Sequence, residues 1–85
     1  MQFKDQVVLV TGSSRGIGLG VAEAFAAKGA MVIILDLDQQ QTQEVASQLK
    51  AQGYLADGFG CDVSNLAQCQ ETVNKILDIH KRIEI

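Results

Sequence analysis

The sequence predicts an α/β fold built on a doubly wound parallel sheet, and three observations carry that expectation. Val7-Val8-Leu9-Val10 and Ala30-Met31-Val32-Ile33-Ile34-Leu35 are unbroken apolar runs. Strands buried on both faces read this way, whereas a strand with one face in water would alternate with polar residues. Each run is followed by apolar residues at helical spacing, so strands and helices alternate along the chain. Between the first run and the first helical pattern stands a turn holding Gly12, Gly16 and Gly18.

The first strand is expected over residues 6–11. The glycine turn after it suits close approach of backbone to an anion. Glycine tolerates positive φ and carries no Cβ, so main-chain N–H groups and the opening turn of the next helix can face a phosphate. That helix, residues 16–28, would set Ile17, Val21 and Phe25 against the sheet, and Gly29 supplies a left-handed stop. The second strand, 30–35, stops at Asp36. Asp38 is expected to cap a second helix whose buried stripe is Thr42, Val45, Ala46 and Leu49, with its many glutamines in solvent. Gly53 ends it.

The third strand, 54–61, contains Gly58 and Gly60 and is weaker than the first two, which suits the edge of a sheet. Ser64 would cap a third helix with an apolar face of Leu66, Cys69, Val73, Ile76, Leu77 and His80. Ile83-Glu84-Ile85 reads as the start of a fourth strand. Right-handed crossovers carry the first two helices over one face, and the third must return across the other. The resulting order, 3-2-1-4, puts the topological switch point beside strand one, where the glycine turn lies.

A chain of 85 residues with 47% hydrophobic and 20% charged residues has globular composition. A chain of this size buries about 60–65% of its unfolded surface, so modest stability is expected. The net charge of −3, with no basic stripe, argues against nucleic acid or an anionic membrane surface as partner. There is no signal-peptide pattern and no run of transmembrane length, so a cytoplasmic location is the default expectation. Cys61 and Cys69 show no metal-site spacing and read as reduced thiols. No metal is expected.

Asp36, eighteen positions beyond Gly18, stands where a carboxylate can accept hydrogen bonds from both adenosine ribose hydroxyls and would repel a 2′-phosphate. Ser13, Ser14 and Ile17 can add hydroxyl or amide donors toward ribose and diphosphate. His80, the sole histidine, has no partner in the pattern and is read without a catalytic role.

The spacing Thr11-Gly12-x-x-x-Gly16-Ile17-Gly18 resembles the TGxxxGIG motif of the short-chain dehydrogenase/reductase family. The wording Gly-Ser-Ser-Arg-Gly-Ile-Gly is most similar to its 3-oxoacyl-(acyl carrier protein) reductase and sugar or alcohol dehydrogenase members. The resemblance covers essentially the whole chain and implies the N-terminal half of a Rossmann-type domain, residues 1–85, truncated inside the fourth strand. It implies a nicotinamide dinucleotide on Gly12, Ser14, Arg15, Gly16, Ile17, Gly18 and Asp36. Asp62 and Val63 match the family's Asp-Val pair beside the adenine. A basic residue at the place of Arg15 accompanies NADP in similar reductases, whereas Asp36 favours NAD. We side with Asp36, since a phosphate dianion beside a carboxylate costs more than a solvated arginine returns. NAD is therefore the expected cofactor and NADP the alternative.

Members of the family move hydride between the nicotinamide and a carbonyl or alcohol, using a serine and a Y-x-x-x-K pair. The sole tyrosine is Tyr54, followed four residues later by Gly58, so the chain alone should be inactive. Three readings follow. The chain is the cofactor-binding half of such an oxidoreductase, or a stand-alone adenine-nucleotide module without turnover, or an interaction fragment that pairs through exposed strand edges. Family members are typically homo-oligomeric, and an uncovered sheet edge here would promote self-association.

Overall fold

In the computed structural model, which describes residues 3–84, three strands and three helices alternate along the chain. They are β1 (Val7–Thr11), α1 (Gly16–Ala27), β2 (Met31–Asp36), α2 (Gln39–Ala51), β3 (Leu55–Gly60) and α3 (Leu66–His80). The strands form one parallel sheet in the order β1-β2-β3, with Val7 opposite Met31 and Met31 opposite Leu55. β3 is an outer strand, as expected.

Side chains alternate across this sheet, and the unbroken apolar runs serve two cores at once. Val8, Val32, Ile34 and Ala56 meet Ala22, Ala26, Val45, Ala46 and Leu49 from α1 and α2. Val7 and Ile33 meet Ile76 of α3 on the opposite face, with Leu9, Met31, Phe59 and Ile83 around them. The helices therefore cover the two faces in the arrangement the crossover rule requires.

Two expectations about helix faces and one about a cap are corrected. Ile17 is 90% exposed and Val21 41% exposed, and α1 instead buries Ala22 and Ala26, with Leu19 and Phe25 half-buried. Gly18, Ala22 and Ala26 form an i, i+4, i+8 stripe of small residues that lets α1 lie close to the strands. On α3, Leu66 and Leu77 are exposed while Thr72 and Ile76 are buried. The cap of α3 is Asn65, whose Oδ1 accepts the Gln68 N–H at 3.1 Å, rather than Ser64. Asp38 caps α2 as expected, accepting the N–H groups of Gln40 and Gln41 at 2.9 and 3.2 Å.

The glycines of β3 have a different reason from edge weakness. A Cβ at Gly58 would lie 2.5 Å from the Thr42 carbonyl oxygen and one at Gly60 would lie 2.8 Å from Gln39 Cα. They let α2 cross β3 in close contact.

No fourth strand is formed among the described residues, and Ile85 lies outside them. Its place is marked at one residue. The C=O of Gln6 and the N–H and C=O groups of Val8 and Val10 face β2, so those of Val7, Leu9 and Thr11 face the other edge. There Glu84 donates its N–H to the Val7 carbonyl at 2.9 Å, and its Oε1 accepts the Val7 N–H at 2.8 Å.

Candidate functional site

The glycine turn opens at the carboxyl end of the sheet, between β1 and α1. Gly12 and Gly16 take φ of +61° and +63°, a region that costs an L side chain about 1–2 kcal/mol. Gly18 answers a different need. A Cβ there would sit well inside van der Waals contact distance of the Gly12 carbonyl oxygen, so the helix could not start where it does. Two glycines shape the turn and the third brings helix and strand together.

Helix α1 begins without a side-chain cap. Arg15 holds the cap position in extended backbone, and its carbonyl accepts the Leu19 N–H at 3.3 Å. The N–H groups of Gly16, Ile17 and Gly18 precede that first internal bond and have no helical acceptor. Side chains cap α2 and α3, so α1 is the helix whose N-terminal donors have no capping side chain. An anion placed there would meet free N–H groups and the positive end of the helix dipole.

The two serines of the turn have separate tasks. Ser13 is fully buried, its hydroxyl donating to the Val10 carbonyl at 2.5 Å and accepting the Leu35 N–H at 3.0 Å. It thereby continues the β1–β2 ladder past the end of β1. The expectation that its hydroxyl serves a ligand is corrected, because both of its bonds are spent inside the fold. Periodicity carries no signal for this, although a serine hydroxyl reaching back three residues to a carbonyl is a recurring local pattern.

Ser14 donates its hydroxyl to Asp36 Oδ2 at 2.5 Å and its N–H to the same oxygen at 3.4 Å, while Oδ1 accepts the Leu37 N–H at 2.9 Å. The Ser14 hydroxyl, followed by the Leu37 N–H, holds the Asp36 carboxyl below the usual carboxylate range, with Arg15 adding a weaker attraction. The carboxylate is thus charged at neutral pH and tied to the turn. Leu37 beside it is 71% exposed and Ile17 flanks the opening.

The ends of β2 and β3 meet next to this carboxylate, where Cys61 donates its N–H to the Asp36 carbonyl at 2.8 Å. Asp62 follows, accepting the Ser64 hydroxyl and N–H on Oδ1 at 2.6 and 3.0 Å. Those bonds lower its pKa, the hydroxyl contributing most. Val63 stands 56% exposed on the same rim. The fold thus brings Gly12, Ser14, Arg15, Gly16, Ile17, Gly18, Asp36, Asp62 and Val63 to one edge of the sheet.

His80 lies elsewhere and is not alone. Its Nε2 is 2.9 Å from Asp57 Oδ2, which ties the end of α3 to β3 and corrects the reading of a partnerless histidine. Tyr54 precedes β3, at the far end of the strands. Among the described residues there is no group of three His, Cys, Asp or Glu side chains that could hold a metal, and no helix is long and apolar enough to cross a membrane.

This geometry has known counterparts. The family model described as short chain dehydrogenase matches residues 6–85. The uncharacterized oxidoreductase YxjF of Bacillus subtilis is 40% identical over 83 residues, 98% of this chain and 32% of its own length. Galactitol 2-dehydrogenase of Agrobacterium fabrum is 42% identical over 76 residues, 89% of this chain and 28% of its own. A metagenomic short-chain oxidoreductase crystallised in complex with NADP superimposes with a TM-score of 0.92 at 29% identity, covering 100% of this chain and 38% of that one. The chain spans about a third of the length of the relatives it matches. With motif, sheet order and these likenesses in agreement, the chain belongs to the short-chain dehydrogenase/reductase family.

Proposed function

We propose that residues 1–85 are the dinucleotide-binding half of a short-chain dehydrogenase/reductase and that they hold NAD in preference to NADP. The observation that carries this reading is the Ser14–Asp36 hydrogen bond. It fastens the phosphate-type turn to a charged carboxylate at the end of the neighbouring strand. A dinucleotide needs both at once, free N–H donors for its diphosphate and an acceptor for its ribose. The bound cofactor would supply hydride exchange at its nicotinamide. This chain's residues would grip the diphosphate at 12–18, orient the ribose at Asp36 and border the adenine at Asp62 and Val63.

Preference for NAD rests on charge. Asp36 is anionic at neutral pH because Ser14 and Leu37 stabilise that form, and a 2′-phosphate beside it would meet repulsion. Arg15 offers NADP a cation, but it is exposed and its attraction is screened. Calorimetric titration of NAD, NADP and AMP separates the cases. NAD should bind more tightly than NADP, and Asp36→Ala should weaken NAD about ten-fold or more, the scale of one charged hydrogen bond. Tighter binding of NADP than of NAD by the unaltered chain would overturn the preference.

The family's catalytic serine and Y-x-x-x-K pair have no match here, so no carbonyl reduction by the chain alone is expected. Reduced Cys61 and Cys69 fit a reducing compartment, and we place the protein in the cytoplasm. A second reading is favoured by the β1 edge, where, among the described residues, Glu84 alone pairs with the outward side of β1 and no strand lies beside Leu9 and Thr11. Such an edge recruits another strand, including one from a second copy. Sedimentation velocity at rising concentration should show self-association, and a monomer throughout would exclude it.

A further inference from the structure

Cys61 and Cys69 stand eight positions apart in sequence, and the fold makes them neighbours. Cys61 follows β3 and is 3% exposed, whereas Cys69, on the first turns of α3, is half-buried. Both line one apolar cavity of about 200 Å³ between α3 and the sheet, together with Leu9, Leu35, Val73 and Ile76. The Cys69 thiol lies 3.5 Å from the Val63 carbonyl oxygen and 3.9 Å from that of Asp62. Neither thiol serves the glycine turn. Two thiols on the wall of one small cavity, one of them half-buried, at the base of the loop that carries Asp62 and Val63 form a unit with its own chemistry.

We propose that Cys61 and Cys69 are a reversible dithiol switch, oxidised by hydroperoxides to an intramolecular disulfide that closes the loop of residues 61–69. Cys69, the more accessible thiol, reacts first as its thiolate. Its sulfur attacks one peroxide oxygen, the O–O bond breaks, and after protonation water leaves, with Cys69 as the sulfenic acid. The Cys61 sulfur then attacks the Cys69 sulfur, the S–O bond breaks, and the departing hydroxide takes the Cys61 proton to form a second water. In sum, two thiols and one hydrogen peroxide give one disulfide and two waters. Two electrons pass from the sulfurs to the peroxide.

Burial and the neighbouring Cys61 thiol and Asp62 charge push the Cys69 thiol up in pKa, so Cys69 rests protonated. The switch is therefore slow and answers to sustained oxidant. A disulfide is shorter than a thiol contact, so its formation draws the start of α3 toward the end of β3 and pulls the Cys69 sulfur off the Asp62 and Val63 carbonyls. The loop moves with it. The crosslink stands independently of the dinucleotide reading, whereas its effect on affinity rests on that reading.

Exposure of the purified chain to hydrogen peroxide, followed by intact-mass measurement and non-reducing peptide mapping, tests the crosslink. The expected result is loss of two hydrogens, one peptide pair joining Cys61 to Cys69, and full reversal by dithiothreitol. Cys69→Ser should abolish the link, and Cys61→Ser should leave a dimedone-trappable sulfenic acid on Cys69. Circular dichroism of each variant and each oxidised sample establishes that the fold is retained. Sulfinic or sulfonic acid on Cys69 without a link, links only between chains, or no oxidation at any peroxide level that leaves the fold intact would each overturn the proposal. Titration of NAD into the reduced and oxidised forms reads the coupling. About five-fold or greater weakening on oxidation is expected. Equal affinity would overturn the coupling alone, and failure of both forms to bind would instead count against the dinucleotide reading.

Discussion

Gly18 and Gly20 lie two residues apart on α1 and differ in what a methyl group would meet. At Gly18 it collides with the Gly12 carbonyl, and at Gly20 nothing lies within 4 Å. Gly18→Ala should therefore destabilise the chain by about 1–3 kcal/mol, as overpacking does. Gly20→Ala should stabilise it by about 0.5–1 kcal/mol through helix propensity. Urea unfolding of the two variants checks the pair. Ser14 gives a second test at this scale. Its hydroxyl is the largest cause of the lowered Asp36 pKa, so Ser14→Ala should move the Asp36 titration up toward 3.8, as followed by carboxyl-carbon NMR. The sign for stability follows. A carboxylate with a depressed folded pKa stabilises the fold above its unfolded value, and that contribution is lost as pH falls through the folded value. Asp36 and Asp62 both behave this way, so unfolding midpoints should drop as the pH goes below about 4, and less so in Ser14→Ala.

At the scale of elements, α3 is the least firmly held helix. It rests on the sheet through Ile76 and Thr72, with the His80–Asp57 pair at its end, while Leu66, Leu77 and Ile79 face solvent. Amide exchange should be faster in α3 than in α1 or α2, and His80→Ala should speed it further in the last turn. Asn65→Ala should cost about 1 kcal/mol and Ser64→Ala much less, since the cap is at Asn65. Much of this level was legible in the residues. Strand runs, Asp38 at the start of α2 and the opposite placement of α3 all followed from polarity and handedness. The face of α1 was not, because hydrophobic spacing picks out large side chains such as Ile17 and Val21. This helix packs through Gly18, Ala22 and Ala26, whose smallness is the reason they are buried. The candidate site was legible as a set of positions along the chain. The division of labour between Ser13 and Ser14 was not, because it depends on which strand end each hydroxyl reaches.

At the scale of the whole described structure, the two sides of the sheet differ. β3 is packed by α2, whereas the far edge of β1 carries a single residue's worth of pairing at Glu84. The 85 residues taken alone, with the β1 edge and Leu66, Leu77 and Ile79 exposed, are expected to be of modest stability and prone to associate. The proposed dinucleotide site draws on the glycine turn, Asp36 and Asp62, all within these residues, so that reading predicts binding by the 85 residues on their own. Titration of NAD into isotopically labelled chain, followed amide by amide, tests this most directly. The account predicts saturable shifts at Gly12–Gly18, at Asp36 and Leu37, and at Asp62 and Val63, with the N-termini of α2 and α3 unmoved. Saturable shifts confined to other parts of the chain, or none at millimolar NAD, would contradict it.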